Sequence, residues 1–544
     1  MSVVEPQGAK VREPILPPGP PGFAFEWERE SDARYSWEWD DMHMPEALSP
    51  LSGDYVRCMG QGFAYRYAQL GVAVDIEARV WNGYAYFTAT SDLEPDEVSA
   101  IWESMPELRR SVIPSTAGYW SERAIPELRA SYAVIEAIDA AAMGPEDLAA
   151  AWDESWARVE RAWRIHFFAI TGVYQVLNDL ADQYEALVPE ASAGEALKLI
   201  QGSVTEVQDV ADGLDRLTDL ARSDPAVAAW LATDLSEPMP VGHAFQEALE
   251  EFLRRHGHLG QSWDDLQLSS WRIEPVKLLR DIGKRLEQPA DAAVARRQHL
   301  AEDADALLER VRLRAAKQPD QLRMLEETLE HARQIGPISE THNYWIDRMA
   351  QDALHRLALR VGERLVASGV IDAPADAFYL HRDEIRDLIL DPTDQRELVA
   401  VRREEHEQQR ATPPPRWVGQ PPEGGGTRFE TPEPIPHGKD EVRGAGASPG
   451  TVRGPARVAL GQDDFERIQP GDIIVCPSSN PSWVPLFSIA AGLVTDTGGV
   501  LSHAAVVARE LGLPAVVGTR EGTTTIRDGQ LIEIDGSSGI VRLL

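Results

Sequence analysis

TDTGGVLSHAAVVARELGLPAVVGT, from Thr495 to Thr519, decides how this chain is read. It sets one histidine, His503, behind a double glycine and at the start of a helix rich in alanine and valine. Gly498 and Gly499 permit a steep turn and bring backbone N–H groups close to whatever sits there. Ser502 is placed to cap the helix, so the partial positive charge of the helix end faces His503. A phosphoryl group on that imidazole would meet amide donors and a favourable dipole. Imidazole suits the load: it is a nucleophile at neutral pH, and its N–P bond passes readily to an oxygen acceptor. A Gly-Gly-x-x-Ser-His fragment by itself also reads as a surface turn beside a core helix, so the rest of the chain has to weigh in.

Around this run the sequence alternates short β-rich stretches (GAGASPGTVRGPARVAL, GDIIVCP, GLVTDT, AVVG and LIEIDGSSGIVRLL) with two helical candidates, SWVPLFSIAA and HAAVVARELG. That pattern predicts a compact α/β domain over 441–544. Upstream lies ATPPPRWVGQPPEGGGTRFETPEPIPH, too rich in proline and glycine for a packed core, which predicts a linker over 411–440. Before it, apolar residues recur at three- and four-residue spacing through most of 23–410, as in EDLAAAWDESWARVERAWRIHFFAITGVYQVLNDLADQYEALV. VAVDIEARVWNGYAYFTAT alternates and breaks at Asn82-Gly83, a hairpin signal. Residues 1–22 read as a disordered or extended Pro-rich leader. The expected architecture is multidomain, a mainly helical α+β body followed by an α/β domain.

The formal net charge of −35 argues against nucleic acid and against anionic membrane surfaces, both of which want basic patches. Cys58 and Cys476 stand far apart and suggest neither a disulfide framework nor a thiolate metal site. The N-terminus lacks a signal-peptide pattern and no apolar run is long enough to span a bilayer, so a cytoplasmic location is expected.

The 25-residue string resembles, nearly residue for residue, the swivelling phosphohistidine domain of PEP-utilising enzymes, the family of pyruvate phosphate dikinase, PEP synthase and rifampicin phosphotransferase. Arg509-Glu510 and the run Gly512 to Gly518 match the family pattern, as do Ser448-Pro449-Gly450, Asn480-Pro481-Ser482-Trp483 and Asp535-Gly536. The resemblance implies that His503 is phosphorylated, with Thr495, Gly498, Gly499, Ser502 and Arg509 supporting the phosphate loop. Some plant-type relatives carry a regulatory threonine before the Ser-His pair; Leu501 stands there in this chain, so that control is not carried over. MPEALSPLSGDY (Met44 to Tyr55), FLRRHGHLGQSWDDLQLSSWRIEP (Phe252 to Pro275) and DAFYLHRDEI (Asp376 to Ile385) resemble, more patchily, the acceptor-binding domain of the rifampicin phosphotransferase family. The body would then be an acceptor domain, and the last domain a carrier.

Family members that draw on ATP carry an ATP-grasp domain, and those that draw on PEP carry a barrel of about 250 residues. Neither pattern is found in the sequence, nor is a Gly-x-x-x-x-Gly-Lys-Ser/Thr loop. The expectation is therefore a split enzyme resembling phenylphosphate synthase and the cresol-phosphorylating enzymes. A separate ATP-grasp subunit would bind Mg-ATP and load His503, and a phenolic or other alcoholic small molecule would accept the phosphate, with ATP yielding AMP and phosphate. No cofactor is expected to bind tightly to this chain. Two other readings stay open: a PEP- or pyruvate-linked component with its barrel on another chain, and a phosphocarrier or regulatory protein with no small-molecule site.

For the acceptor side the sequence offers two polar clusters. HGHLGQSWDD puts His256 and His258 beside Asp264 and Asp265; metal binding is conceivable, a loop of satisfied histidines more so, and no metal site is assigned. ETHNYWID sets Glu340, His342, Asn343 and Asp347 on adjacent turns of a predicted helix, where His342 could deprotonate an acceptor hydroxyl; an exposed polar face is the alternative.

Overall fold

The computed structural model describes residues 14–41, 43–191, 194–201, 205–240, 244–260, 265–287, 304–421, 438, 440–479 and 483–544. In the C-terminal domain eight strands form one mixed sheet: β5 (Glu441–Arg443), β6 (Ala445–Ser448), β7 (Thr451–Val458), β8 (Ile473–Cys476), β9 (Gly492–Thr495), β10 (Ala515–Val517), β11 (Leu531–Asp535) and β12 (Ile540–Leu543). Their order is β5-β12-β11-β7-β8-β9-β10-β6. The central strands β7, β8, β9 and β10 pair in parallel and the flanking ones antiparallel. IIVC and GLVT are buried at every position, as strands covered on both faces must be. β9 delivers the chain to the double-glycine turn, and the helix His503–Leu511 carries it back to β10. Ser502 holds extended backbone at the N-cap and its Oγ accepts from Ala505 N at 3.4 Å. Gly512, at φ 62°, closes the other end in the left-handed conformation that spares a Cβ clash.

The body is built on long helices. Pro50–Gln69 packs against Pro145–Ile170 with backbones nearly touching: a Cβ on Gly62 would lie 2.9 Å from the carbonyl carbon of Trp163. Trp152, Trp156 and Trp163 fill the core beside this contact, all fully buried. The helix running from Ile338 to Ala367 contains one π-helical segment, Asn343–Arg348. Such a segment accommodates an extra residue per turn and often marks a functional site. Among the described residues no helix is long and apolar enough to cross a membrane.

The hairpin is present as β2 (Asp75–Trp81) and β3 (Tyr84–Thr90), turning at Asn82 and Gly83 with φ of 49° and 79°. It belongs to a four-stranded antiparallel sheet, β2-β3-β1-β4, with β1 at Ser36–Trp39 and β4 at Trp417–Gly419. Here the structure departs from the reading of the linker. Trp417 and Val418 sit inside the nominal 411–440 linker yet pair with Glu38 and Trp37, and Tyr86 donates its hydroxyl to Pro415 O at 2.7 Å. An apolar Trp-Val pair among prolines is enough to add an edge strand. The leader departs likewise: Ile15 bridges to Gly419 and Phe23 is buried against Tyr84 and Tyr86. Residues 1–13 and 422–437, and Asn480-Pro481-Ser482 of the family-like motif, lie outside the described residues.

Candidate functional site

The double-glycine turn of the C-terminal domain is seated in the helical body. Val500 and Leu501 pack against the body's main apolar core, so the residue before Ser502-His503 is a docking group. Gly498 adopts φ 92°, and a Cβ there would strike Ser502 at 2.9 Å. Thr495 props the turn from below, its hydroxyl donating to Thr497 O at 2.8 Å and its carbonyl accepting from Thr519 N at 3.0 Å. His503, with 14 % of its side chain exposed, meets a residue of the body: its Nδ1 lies 2.6 Å from Oε2 of Glu340. With the carboxylate accepting, Nδ1 carries the proton and Nε2 the lone pair. Nε2 has no hydrogen-bond partner among the described residues.

His503 forms part of the wall of an open cavity of about 870 Å³ between the domain and the body. Gly498, Gly499 and Ser502 line it from the C-terminal domain, and Glu340, His342, Asn343 and Asp347 from the body. Most of the remaining wall is aromatic and apolar, with Phe63, Tyr67, Phe87, Trp102, Trp163 and Phe167 prominent. Its ionisable lining includes the carboxylates of Glu38, Asp40, Glu340 and Asp347 against the guanidiniums of Arg66 and Arg109. That balance disfavours a polyanion such as a nucleoside triphosphate and suits an apolar molecule with a polar handle.

A second polar cluster lines the same cavity. His166 Nδ1 is 2.9 Å from Asp347 Oδ1, and the His166 ring meets the His342 ring edge to face at 4.5 Å between centroids. Burial pushes the Asp347 carboxyl up, but His166 outweighs it through charge and hydrogen bond, with His342 and His43 adding to the effect, and the carboxyl sits below its ordinary range. The π-helical segment explains why His342 and Asp347 converge. Five residues apart on an ordinary helix they would diverge by about 140°; the added residue turns them to one side. The ligand atoms of His166, His342 and Asp347 fall within 4.8 Å of one another, close enough to consider a metal ion. The direct His166–Asp347 hydrogen bond uses the donor set internally, as an acid–base pair does.

The remaining candidates are placed less favourably. His342 lines the cavity, but its Nδ1 is 2.5 Å from Ile338 O and burial drives the ring down to about 3, which leaves a weak base. Arg509 does not reach the turn. It is buried, donates from Nη1 to Ala447 O at 2.9 Å and ties the helix His503–Leu511 to β6. Burial lowers its guanidinium to about 10. His256 and His258 lie away from the cavity, against Tyr344. His256 Nδ1 meets the Tyr344 hydroxyl at 2.9 Å, while both ring nitrogens of His258 lack partners among the described residues, so the expected loop of satisfied histidines holds only for the first. Asp264 lies outside the described residues, and Asp265 accepts from Ser49 and Ser52 at the start of Pro50–Gln69. Sequence reasoning missed His166 because a histidine inside RIHFFAI reads as one more position of an apolar helix face.

The buried neutral histidines predict acid lability. Burial lowers His342 to about 3, His256 to about 4, and His258 and His355 below their ordinary values. The folded state then binds fewer protons than the unfolded chain between about pH 6.5 and those values, so stability is intact above about pH 6.5 and lost as pH falls through the window. The loss should reach several kcal/mol, since each group costs about 1.4 kcal/mol for every pH unit that separates its folded and unfolded titrations. Urea midpoints at pH 7.5 and 5 measure it, and His342→Gln should flatten the slope; equal midpoints in the wild type would contradict it.

The chain matches known proteins in both of its domains. Residues 468–539 match the PEP-utilising enzyme mobile domain, and residues 165–340 match the rifampicin phosphotransferase fourth domain, a segment running from beside His166 to Glu340. The chain is 30% identical to chondramide synthase cmdD of Chondromyces crocatus over 97% of its own length and 14% of that protein. It is 31% identical to a rifampicin phosphotransferase of Streptomyces sviceus over 70% of its length and 44% of that protein. It is 46% identical to the phosphoenolpyruvate synthase of Aeropyrum pernix over 20% of its length and 13% of that protein. The chain thus spans less than half the length of each of these relatives. It resembles PEP-utilising enzymes in its last domain and rifampicin phosphotransferases through the body.

Proposed function

We propose that this chain is the acceptor and carrier part of a phosphotransferase, in which Nε2 of His503 carries a phosphoryl group and passes it to the hydroxyl of a small molecule held in the cavity. The observation that carries this reading is the placement of His503, delivered by one domain into the wall of a large apolar cavity of another with Nε2 unpartnered. The names of the matching families and relatives, among them a phosphotransferase to rifampicin, point the same way. A cavity of about 870 Å³ lies near the top of the range of roughly 300–1,000 Å³ usual for drug-sized ligands, so the acceptor is an aromatic alcohol larger than phenol itself. His166 takes the proton of that hydroxyl: Asp347 engages Nδ1, which leaves Nε2 as the accepting atom and steadies the imidazolium that forms. The donor is Mg-ATP on a separate ATP-grasp subunit in the cytoplasm, consistent with a cavity whose carboxylates repel a triphosphate.

The test is direct. The full chain is mixed with a candidate ATP-grasp partner, magnesium and ATP labelled at the β-phosphate, in parallel with labelled PEP, and a panel of phenols and polycyclic alcohols is added. Label should appear on His503 as an acid-labile, base-stable phosphate and then move to a large aromatic alcohol. Label on another residue, or a phosphorylated His503 that no hydroxyl discharges, would overturn the reading.

A further inference from the structure

Glu340 belongs to the body, whereas the imidazole it holds belongs to the carrier domain. We propose that Glu340 is a positioning residue supplied by the acceptor domain, which keeps Nδ1 of His503 protonated only while the carrier is docked and so releases the phosphoryl group at the acceptor site and nowhere else. This rests on the carrier role of His503 proposed above.

The chemistry follows from the bonds that change. The acceptor oxygen attacks phosphorus, the P–Nε2 bond breaks, and its electron pair returns to Nε2. The hydroxyl proton goes to His166. If Nδ1 keeps its proton throughout, the leaving group is neutral imidazole; if not, it is an imidazolate, a far poorer one. A carboxylate 2.6 Å from Nδ1, itself only 3 % exposed, accepts the Nδ1–H hydrogen bond and holds the proton on that nitrogen. The same contact fixes the ring plane, so Nε2 cannot exchange places with Nδ1 in the docked state. Other ionisable groups face the pair: Tyr174 from the helix Val173–Leu187, Arg509 from the carrier helix, His166 from Pro145–Ile170, and His342 and Asp347 on the helix of Glu340 itself. None of these is hydrogen-bonded to His503 Nδ1, and Glu340 is the carboxylate in direct contact with it. Away from the body the imidazole loses this partner, and the phosphoryl group is retained in transit.

The experiment uses the full chain, wild type and Glu340→Gln, each loaded chemically with potassium phosphoramidate and followed by ³¹P NMR. Both should take up phosphate on His503 to the same extent, because loading does not need the docked pose. Release to phenol or to water, followed from pH 6 to 9, should then separate them. The wild-type rate should hold to higher pH and exceed that of Glu340→Gln about tenfold at pH 8.5, roughly the worth of one hydrogen bond to a charged group, with a smaller gap at pH 6. Glu340→Asp, which keeps the charge, should recover much of the high-pH rate. Superimposable pH profiles for wild type and Glu340→Gln would overturn the inference while leaving His503 as carrier. Absence of phosphate on His503 in the wild type would overturn the carrier reading and this one with it.

Discussion

Replacing His503 by alanine is expected to abolish phosphoryl transfer and leave the protein folded. No other histidine follows residue 437, so the domain holds no substitute imidazole. The side chain is hydrogen-bonded to Glu340 and lies at the mouth of the helix rather than inside it. Alanine also keeps the helix, since it is the best helix former and the N-cap at Ser502 is untouched. The expected pattern is therefore loss of labelled phosphate incorporation to background, with a urea midpoint shifted by the equivalent of about 1–3 kcal/mol, the cost of taking this partner from the buried Glu340 carboxylate. Retained incorporation would move the carrier elsewhere. A large loss of stability would show that the contact to Glu340 is chiefly structural.

Replacing His166 by glutamine should produce a split phenotype. Loading of His503 depends on the donor and is expected to run at the wild-type rate. Discharge to the hydroxyl acceptor is expected to fall on the order of 10²–10⁴-fold, the usual worth of a positioned base. Asp347→Asn should fall less, because the imidazole remains but loses the group that orients it and steadies its charge. Single-turnover measurements of the two halves, made separately, read this out. Equal losses in both halves would mean that His166 supports the fold around the cavity, where it touches Trp163, Phe167 and His342, and takes no part in the proton transfer.

The last domain was legible because its signals are local: the glycine turn, the serine cap and the β-rich runs each act within a few residues, and each appears where the pattern placed it. The cavity was not legible. Glu340, His342 and Asn343 follow ordinary helical spacing, but the position of Asp347 relative to them depends on a π-helical segment that no spacing rule announces. His166 and Asp347 are separated by 181 residues and meet only through the packing of two long helices. Leu501 looked like a mere departure from a family pattern, whereas its apolar side chain packs into the body. The linker was misjudged at its start because proline counts for more than Trp417-Val418 when composition is read in windows; pairing with β1 is a long-range event.

That strand has a consequence for the reach of His503. Trp417 lines the cavity itself, so β4 fastens the tether at the very site the carrier visits. The stretch between Pro421 and Gly438, at about 3.3–3.6 Å per residue, can span no more than roughly 60 Å. On the carrier reading proposed above, a donor centre would have to fall inside a sphere of that radius, enlarged only by the size of the C-terminal domain. The same leash works in the other direction. On the carrier reading proposed above, a domain that left the cavity would stay joined to it through this stretch, so re-docking would compete with every partner in solution. On that reading a donor that loads His503 has to capture the domain against a rival already present in the same molecule.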